Sequence, residues 1–430
     1  MSKPFSKPPK LRPPRGFTLV ELITAMALSL ILLAIAFSLF DSLNNAADLA
    51  GTVGDVNENL RAAMNMVARD VSTAGAGIPQ GGVPLPSGGS ACLPIQLPLP
   101  STVLNQVSPV VFSIPVQYFN NAGTASAPAC PTAANMVNMP VITPGAGYGP
   151  SSGSGGTSIP TDSITLITVN PSSNLGQSAV ASITPVTTAN KGCCFAAGTT
   201  SVTITFTAAT TNGGNPINGP STTDPNWVQV VPGQLIMLQN VNGTCLLAVS
   251  SVAADSITFT TSDAVNDPLP FNQFPLNANS PTAGTIGNLQ TLQSTGNVYP
   301  TTYAYQVTMT TYYLDNTTRQ GYWMLMKQLG TGAPVTTTGG VAVQSNPPQV
   351  VAMGVNVMQF AYSCNTASNC STASPALDPI RTPTDPSDIR MVNLWFTAIA
   401  NHPNRKTGTY FTNSIGTTVT DQNLAYYNQY

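Results

Sequence analysis

Arg15-Gly16-Phe17-Thr18-Leu19-Val20-Glu21-Leu22 is the stretch on which the rest of this 430-residue chain turns. Upstream lie five basic residues, Lys3, Lys7, Lys10, Arg12 and Arg15, and no acid. Downstream an apolar run extends from Phe17 to Phe40 with one charge in it, Glu21. As helix, its roughly 24 residues would measure about 36 Å, enough to cross a hydrocarbon core of ~30 Å. The positive-inside rule keeps the short basic tail in the cytoplasm and puts everything beyond Phe40 on the far side. A carboxylate one turn into such a helix is costly and implies a partner. A cleaved secretory signal fits poorly, because its apolar core should span ~7–15 residues and end in a small-residue cut site. A plain signal anchor with an incidental glutamate is the alternative.

A basic leader, then Gly-Phe-Thr-Leu-Val-Glu, then an apolar helix: this order resembles the class III signal of type IV prepilins and type II secretion pseudopilins. Residues 16–21 fit that pattern at every position. The resemblance implies that a prepilin peptidase cuts after Gly16 and that the new amino terminus, on Phe17, is methylated. It implies that Glu21 makes an assembly contact with the Phe17 amine of a neighbouring subunit, an ion pair able to fix register between packed helices. The partners it implies are other pilins or pseudopilins, met through helix packing after residence in the inner membrane.

Past Phe40 the pattern turns amphipathic. Leu43, Ala46, Leu49, Val53, Val56, Leu60, Met64, Val67 and Val71 recur at steps of three and four, with Asp48, Asp55, Glu58, Arg61 and Arg69 on other faces. Gly51 and Gly54 predict a bend or a melted turn. The run Ser72-Thr73-Ala74-Gly75-Ala76-Gly77-Ile78-Pro79 stops the helix. Alternating strand-like stretches dominate from residue 161, at 162–169, 202–206, 235–238, 245–252 and 255–259, and suggest a small barrel or meander. Stronger strands follow at 303–314, 321–327, 350–362 and 388–398. The fold class is therefore α+β, a long N-terminal helix followed by a large, mostly antiparallel β region. Its organisation reads as a leader at 1–16, the helix at 17–75 with 17–40 transmembrane, and a Pro/Gly/Ser-rich irregular segment at 76–160. A β-rich insertion at 161–297 and a C-terminal β domain at 298–430 complete it.

The C-terminal order is a long Tyr-rich strand, a strand ending in Lys327, a short helix leading into Gln359-Phe360-Ala361-Tyr362, and a further strand. It resembles PilW- and GspJ-type minor pilins, as does 417–425, although Gln422 stands where those proteins often have Arg. That resemblance implies a minor pilin near the filament tip, aiding assembly. The other readings are a minor pseudopilin of type II secretion and a tip adhesin on a pilin stem.

Composition sets limits. Only 7% of residues are charged, with 35 Gly and 38 Pro. Removing the leader takes five of 14 bases and none of 16 acids, leaving 9 − 16 = −7. No basic patch remains for a nucleic-acid backbone. Of seven cysteines, Cys364 and Cys370 form the expected local disulfide, Cys92 with Cys130 a weaker one, and Cys193 or Cys194 points toward Cys245. The single histidine, His402, sits in a turn sequence, which argues against metal or His-dependent catalysis. Asp263, Asp267 and Asp378 lack Ca²⁺-loop spacing. Asp385, Asp388, Arg381 and Arg390 read as solvated loop charges, and Trp227, Trp323 and Trp395 as core anchors. No enzyme and no cofactor is expected.

Overall fold

The computed structural model describes residues 18–79, 81–84, 138–147, 149–152, 159–170, 175, 179–184, 201–206, 230–253, 255–261, 263, 265–267, 271–272, 289–291, 298–316, 322–330, 334–338, 341–344, 347–365, 383 and 386–421. They form one α-helix, Leu19–Ser72, a short 3-10 helix, Pro386–Asp388, and twenty antiparallel strands, the α+β class expected. The chain divides into two units, Met1–Asp55 with His402–Phe411, and Val56–Asn401 with Thr412–Tyr430.

In the first unit the apolar span of the helix is exposed. None of its most apolar 18-residue window is buried, and Ile31, Phe37 and Phe40 are exposed. Hydroxyls within it bond back to the helix itself. Thr24 Oγ1 donates to Val20 O at 2.9 Å and Ser29 Oγ to Met26 O at 2.8 Å, so neither brings an unsatisfied polar group into an apolar solvent. The melted turn expected at Gly51 and Gly54 does not form: the helix runs unbroken through both. A Cβ at either position would meet nothing within 4 Å. The loop 402–411 is a turn organised by Asn404, whose Oδ1 accepts from Lys406 N and Thr407 N. Arg405 Nε reaches Asp48 Oδ2 at 3.6 Å, and His402 is exposed.

In the second unit the helix is covered along one stripe, Val56, Leu60, Ala63, Met64, Val67 and Val71. The expected stripe is thus buried only in its second half; Leu43 and Leu49 stay open to solvent. The helix ends where expected. Gly75 and Gly77 take positive φ, 75° and 73°, and a Cβ on Gly77 would sit 2.8 Å from Val169. Gly75 N donates to Ile167 O and Val169 N to Ala76 O, which ties the helix end to a strand edge.

That strand, Ser163–Val169, belongs to a seven-stranded sheet built on Tyr303–Asp315. Residues 307–312 of the long strand pair with 164–169 on one edge. The opposite edge is shared, 303–307 pairing with Leu235–Asn240 and 310–315 with Met324–Leu329. Gly243–Ala248, Gln349–Met353 and Ile142–Gly145 complete the sheet. A four-stranded sheet, in the order Ser251–Ala253, Ser256–Thr260, Ser201–Thr205, Ser182–Thr184, faces a common core with it. Val202, Ile204, Ile257 and Phe259 from one sheet cluster with Ile236, Leu238, Leu247 and Ala304 from the other. The barrel or meander expected within 161–262 is therefore not formed. Its strands are divided between two sheets, and the division expected at 297 cuts through both a ladder and a core.

A three-stranded sheet closes the unit: Val355–Cys364, Ile389–Ile399 and Thr412–Thr420. No short helix precedes Gln359. Residues 349–353 are strand, as β-branched Val350 and Val351 favour, and Gly354 at φ 79° makes the corner. A Cβ there would lie 2.7 Å from Ile399 O. Asp162, buried, joins this sheet to the larger one: Oδ1 accepts from Gly147 N at 2.8 Å and Oδ2 from Phe360 N at 2.9 Å. Residues 85–137 of the segment expected to be irregular lie outside the described residues.

Candidate functional site

Two places on the helix carry chemistry. The first is its start. Thr18 and Glu21 form a reciprocal cap: Thr18 N and Thr18 Oγ1 both donate to Glu21 Oε2 at 3.0 Å, and Glu21 N donates to Thr18 Oγ1 at 3.3 Å. This is the Thr-x-x-Glu capping box, which satisfies helix-end amides that would otherwise go unpaired. It also gives the lone carboxylate of the apolar run a partner within its own chain, and the positive end of the helix dipole favours it there. Both Thr18 bonds use Oε2. Oε1 accepts no hydrogen bond among the described residues, so the carboxylate retains a lobe for an incoming ammonium. Gly16 and Phe17, the expected cleavage and methylation residues, lie outside the described residues.

With that geometry in place, comparison with known families is informative. Residues 11–37 match the family model of the prokaryotic N-terminal methylation motif. The chain carries a type IV prepilin-like signal. That motif supports a type IV pilin-like or pseudopilin protein, and such a signal implies processing by a prepilin peptidase and assembly with other pilins. The single apolar helix of this prepilin-like chain fits a single-pass inner-membrane anchor. No curated protein and no solved structure matches the chain.

The second place is the helix end, which sequence reading did not single out. Asp70 Oδ2 accepts from Tyr312 Oη at 2.7 Å and from Lys327 Nζ at 2.6 Å. The Lys327 ammonium also lies 5.5 Å from the Tyr312 ring centroid. Burial pushes the Asp70 carboxyl up, but the bonds from Lys327 and Tyr312 and the Lys327 charge outweigh it and hold it below the usual range. Burial, and then the bond to Asp70, pushes the Tyr312 phenol up, so it stays a donor. The prepilin-like stem is thereby pinned to two adjacent strands of the large sheet. The signal in the sequence was the basic residue closing 324–327, whose partner lies 257 positions away.

The remaining candidates resolve differently. Among the described residues no group of three His, Cys, Asp or Glu is placed to hold a metal. Asp263 and Asp267 turn toward loop amides instead. Asp263 Oδ1 accepts from Asn266 N at 3.1 Å, and Asp267 accepts from Phe271 N and Asn272 N at 2.9 and 2.6 Å. Asp378 is outside the described residues. Asp388 and Arg390 are not solvated loop charges: they pair at 3.5 Å with side chains 13% and 15% exposed, while Arg381 and Asp385 are outside the described residues. Cys245 is a free thiol buried in the shared core, so it bonds neither Cys193 nor Cys194. Burial pushes its thiol far up, which keeps it protonated. Cys364 ends its strand as a disulfide-bonded cysteine; Cys370, its expected partner, is outside the described residues. Trp395 is no core anchor, being 50% exposed, and Trp227 is outside the described residues.

Asp267 gives a pH signature. Burial, reinforced by the Asp263 charge and opposed by the two amides, pushes its carboxyl up to about 6. The folded chain then holds a proton that an unfolded aspartate has already lost. Stability is expected to fall as pH rises from about 4 to about 6, by about 3 kcal/mol at ~1.4 kcal/mol per unit, and to be flat above. Urea midpoints at pH 4.5 and 7 should show that slope in the full chain and a flattened one in Asp267→Asn.

Proposed function

We propose that the chain is a minor pilin of the PilW type. It inserts with its basic leader in the cytoplasm, is cut after Gly16 and methylated at Phe17, and waits in the inner membrane. It then enters a type IV pilus through its helix, near the tip, where it aids assembly. Its role is structural rather than catalytic, and it needs no cofactor. The observation that carries this reading is Glu21, a carboxylate capped through Oε2 whose Oε1 accepts no hydrogen bond among the described residues, at the start of a helix whose most apolar 18-residue window is unburied. The exposed Leu43 and Leu49 extend the uncovered stripe beyond the span, where neighbouring stems would pack. The pairing of Cys364 with Cys370 belongs to the same proposal, stapling the end of a strand in the secreted part.

A type II secretion pseudopilin would use the same anchor. Deletion of the gene separates the two, loss of pili marking the first and loss of an exported enzyme the second. Processing is tested by Gly16→Val. That variant is expected to run as an unshifted precursor band, whereas N-terminal sequencing of the parent should begin at methylated Phe17. A parent that retains its initiator Met would end the proposal.

A further inference from the structure

The outward face of the three-stranded sheet is built around Trp395. From Met391 to Ile399 burial alternates: Val392, Leu394, Phe396 and Ala398 point inward, and Asn393, Trp395 and Thr397 point outward. Cross-strand register sets Gln359 on one side of Trp395 and Gly416 on the other. Gly416 is glycine for a reason. A Cβ there would lie 2.8 Å from Trp395 Cε3 and 3.2 Å from Cζ3, so the indole lies across bare backbone. Half of the ring residue's surface remains open.

Toward Thr412–Thr420 the surround is polar, while on Val355–Cys364 the half-buried Val357 and the buried Ala361 flank Gln359. Thr418 Oγ1 donates to Asn393 Oδ1 at 2.6 Å, and Thr397 and Ser414 share a hydroxyl bond at 2.9 Å. The N–H donors of Asn393 and the amide of Gln359 make no hydrogen bond among the described residues. None of the outward positions on Ile389–Ile399 and Thr412–Thr420 carries an ionisable side chain. An aromatic plate with amide groups at its rim, on a rigid uncharged sheet, matches a molecule with an apolar face and hydroxyl edges.

We propose that this face binds a neutral saccharide. The Trp395 ring takes the C–H face of a sugar, and the amides of Gln359 and Asn393 take its hydroxyls. An acidic polymer would need Lys or Arg on the face, and its described residues include neither. A protein partner would need a wider apolar centre than one exposed ring. The other apolar side chains here are the half-buried Val357 and Ile399, and Met391, 38% exposed, beyond Asn393.

The test uses the full-length chain in detergent micelles, presented with maltotriose, lactose and triacetylchitotriose, and with sialyllactose as the charged comparison. Binding is read by saturation-transfer NMR and by titration. At least one neutral sugar is expected to bind. Trp395→Ala should weaken it at least about tenfold, and Trp395→Tyr, which keeps a stacking ring, should retain most of it. Gly416→Val, which lifts the indole, should weaken binding with circular dichroism unchanged. Binding of sialyllactose alone, no binding of any neutral sugar, or binding indifferent to Trp395→Ala would overturn the proposal. So would a photo-crosslinker at position 395 that captures a neighbouring pilin in assembled filaments. Because the purified chain is used, the result does not depend on filament assembly and stands or falls apart from the pilin reading.

Discussion

Glu21→Ala is expected to leave cleavage intact and to remove most incorporation into filaments, because a neighbour's amine packed between helices would lose its counter-charge. The substitution removes two things at once: the acceptor for Thr18 N and Oγ1, and the open Oε1 that would receive a neighbour's Phe17 amine. Thr18→Ala separates them. It deletes the hydroxyl leg of the cap and leaves the carboxylate for the neighbour. Quantitative blotting of sheared pili against whole-cell protein should show Thr18→Ala far milder than Glu21→Ala. Equal losses would place the effect in helix capping, and normal piliation in Glu21→Ala would remove the pairing altogether.

Asp70→Ala is expected to cost about 3 kcal/mol, the lower end for breaking a buried pair, because both side chains keep some exposure, 17% and 16%. The variant strands Lys327 and Tyr312 against the helix end. Tyr312→Phe, which loses one hydrogen bond and no charge, should cost about 1 kcal/mol. Urea midpoints of the four members of the Asp70/Tyr312 double-mutant cycle measure the coupling. A loss below about 1 kcal/mol for Asp70→Ala would mark an ordinary surface pair. The sign with pH is fixed. The Asp70 carboxyl is held low in the folded chain, so its contribution is complete above the ordinary aspartate range and is lost as pH falls through the lower, folded-state value. Asp267 acts at higher pH and in the opposite sense.

The two variants also show what was legible in the sequence. Glu21 was, because a charge inside an apolar run is conspicuous without knowing the fold. The helix was, because its stripe repeats every three or four residues and its end is written in Gly75 and Gly77. Individual strands were, because alternation is local. Their partners were not. Ser163–Val169 meets a strand more than 130 positions on, and nothing near either one names the other. Hence a separate barrel was expected where two sheets share a core. Asp70 and Asp162 escaped notice for the same reason, their hydrogen-bond partners lying 242 and 198 residues away. Trp395 was misplaced because size alone suggests burial; register and Gly416 turn it outward. Gly51 and Gly54 were overread as a melted turn, since neighbouring residues carry a helix through two glycines when nothing replaces its hydrogen bonds.

Tyr303–Asp315 touches three other strands, two of them translated well before it. Each of the two can pair at once with a near neighbour, Ser163–Val169 with Ile142–Gly145 and Leu235–Asn240 with Gly243–Ala248, but nothing joins these pairs until about three-quarters of the polypeptide has been made. Closure of the large sheet therefore waits on a late arrival, a slow, high-contact-order step. A prematurely terminated product ending before 303 would leave those pairs unjoined, with their inner edges open to proteases and quality control.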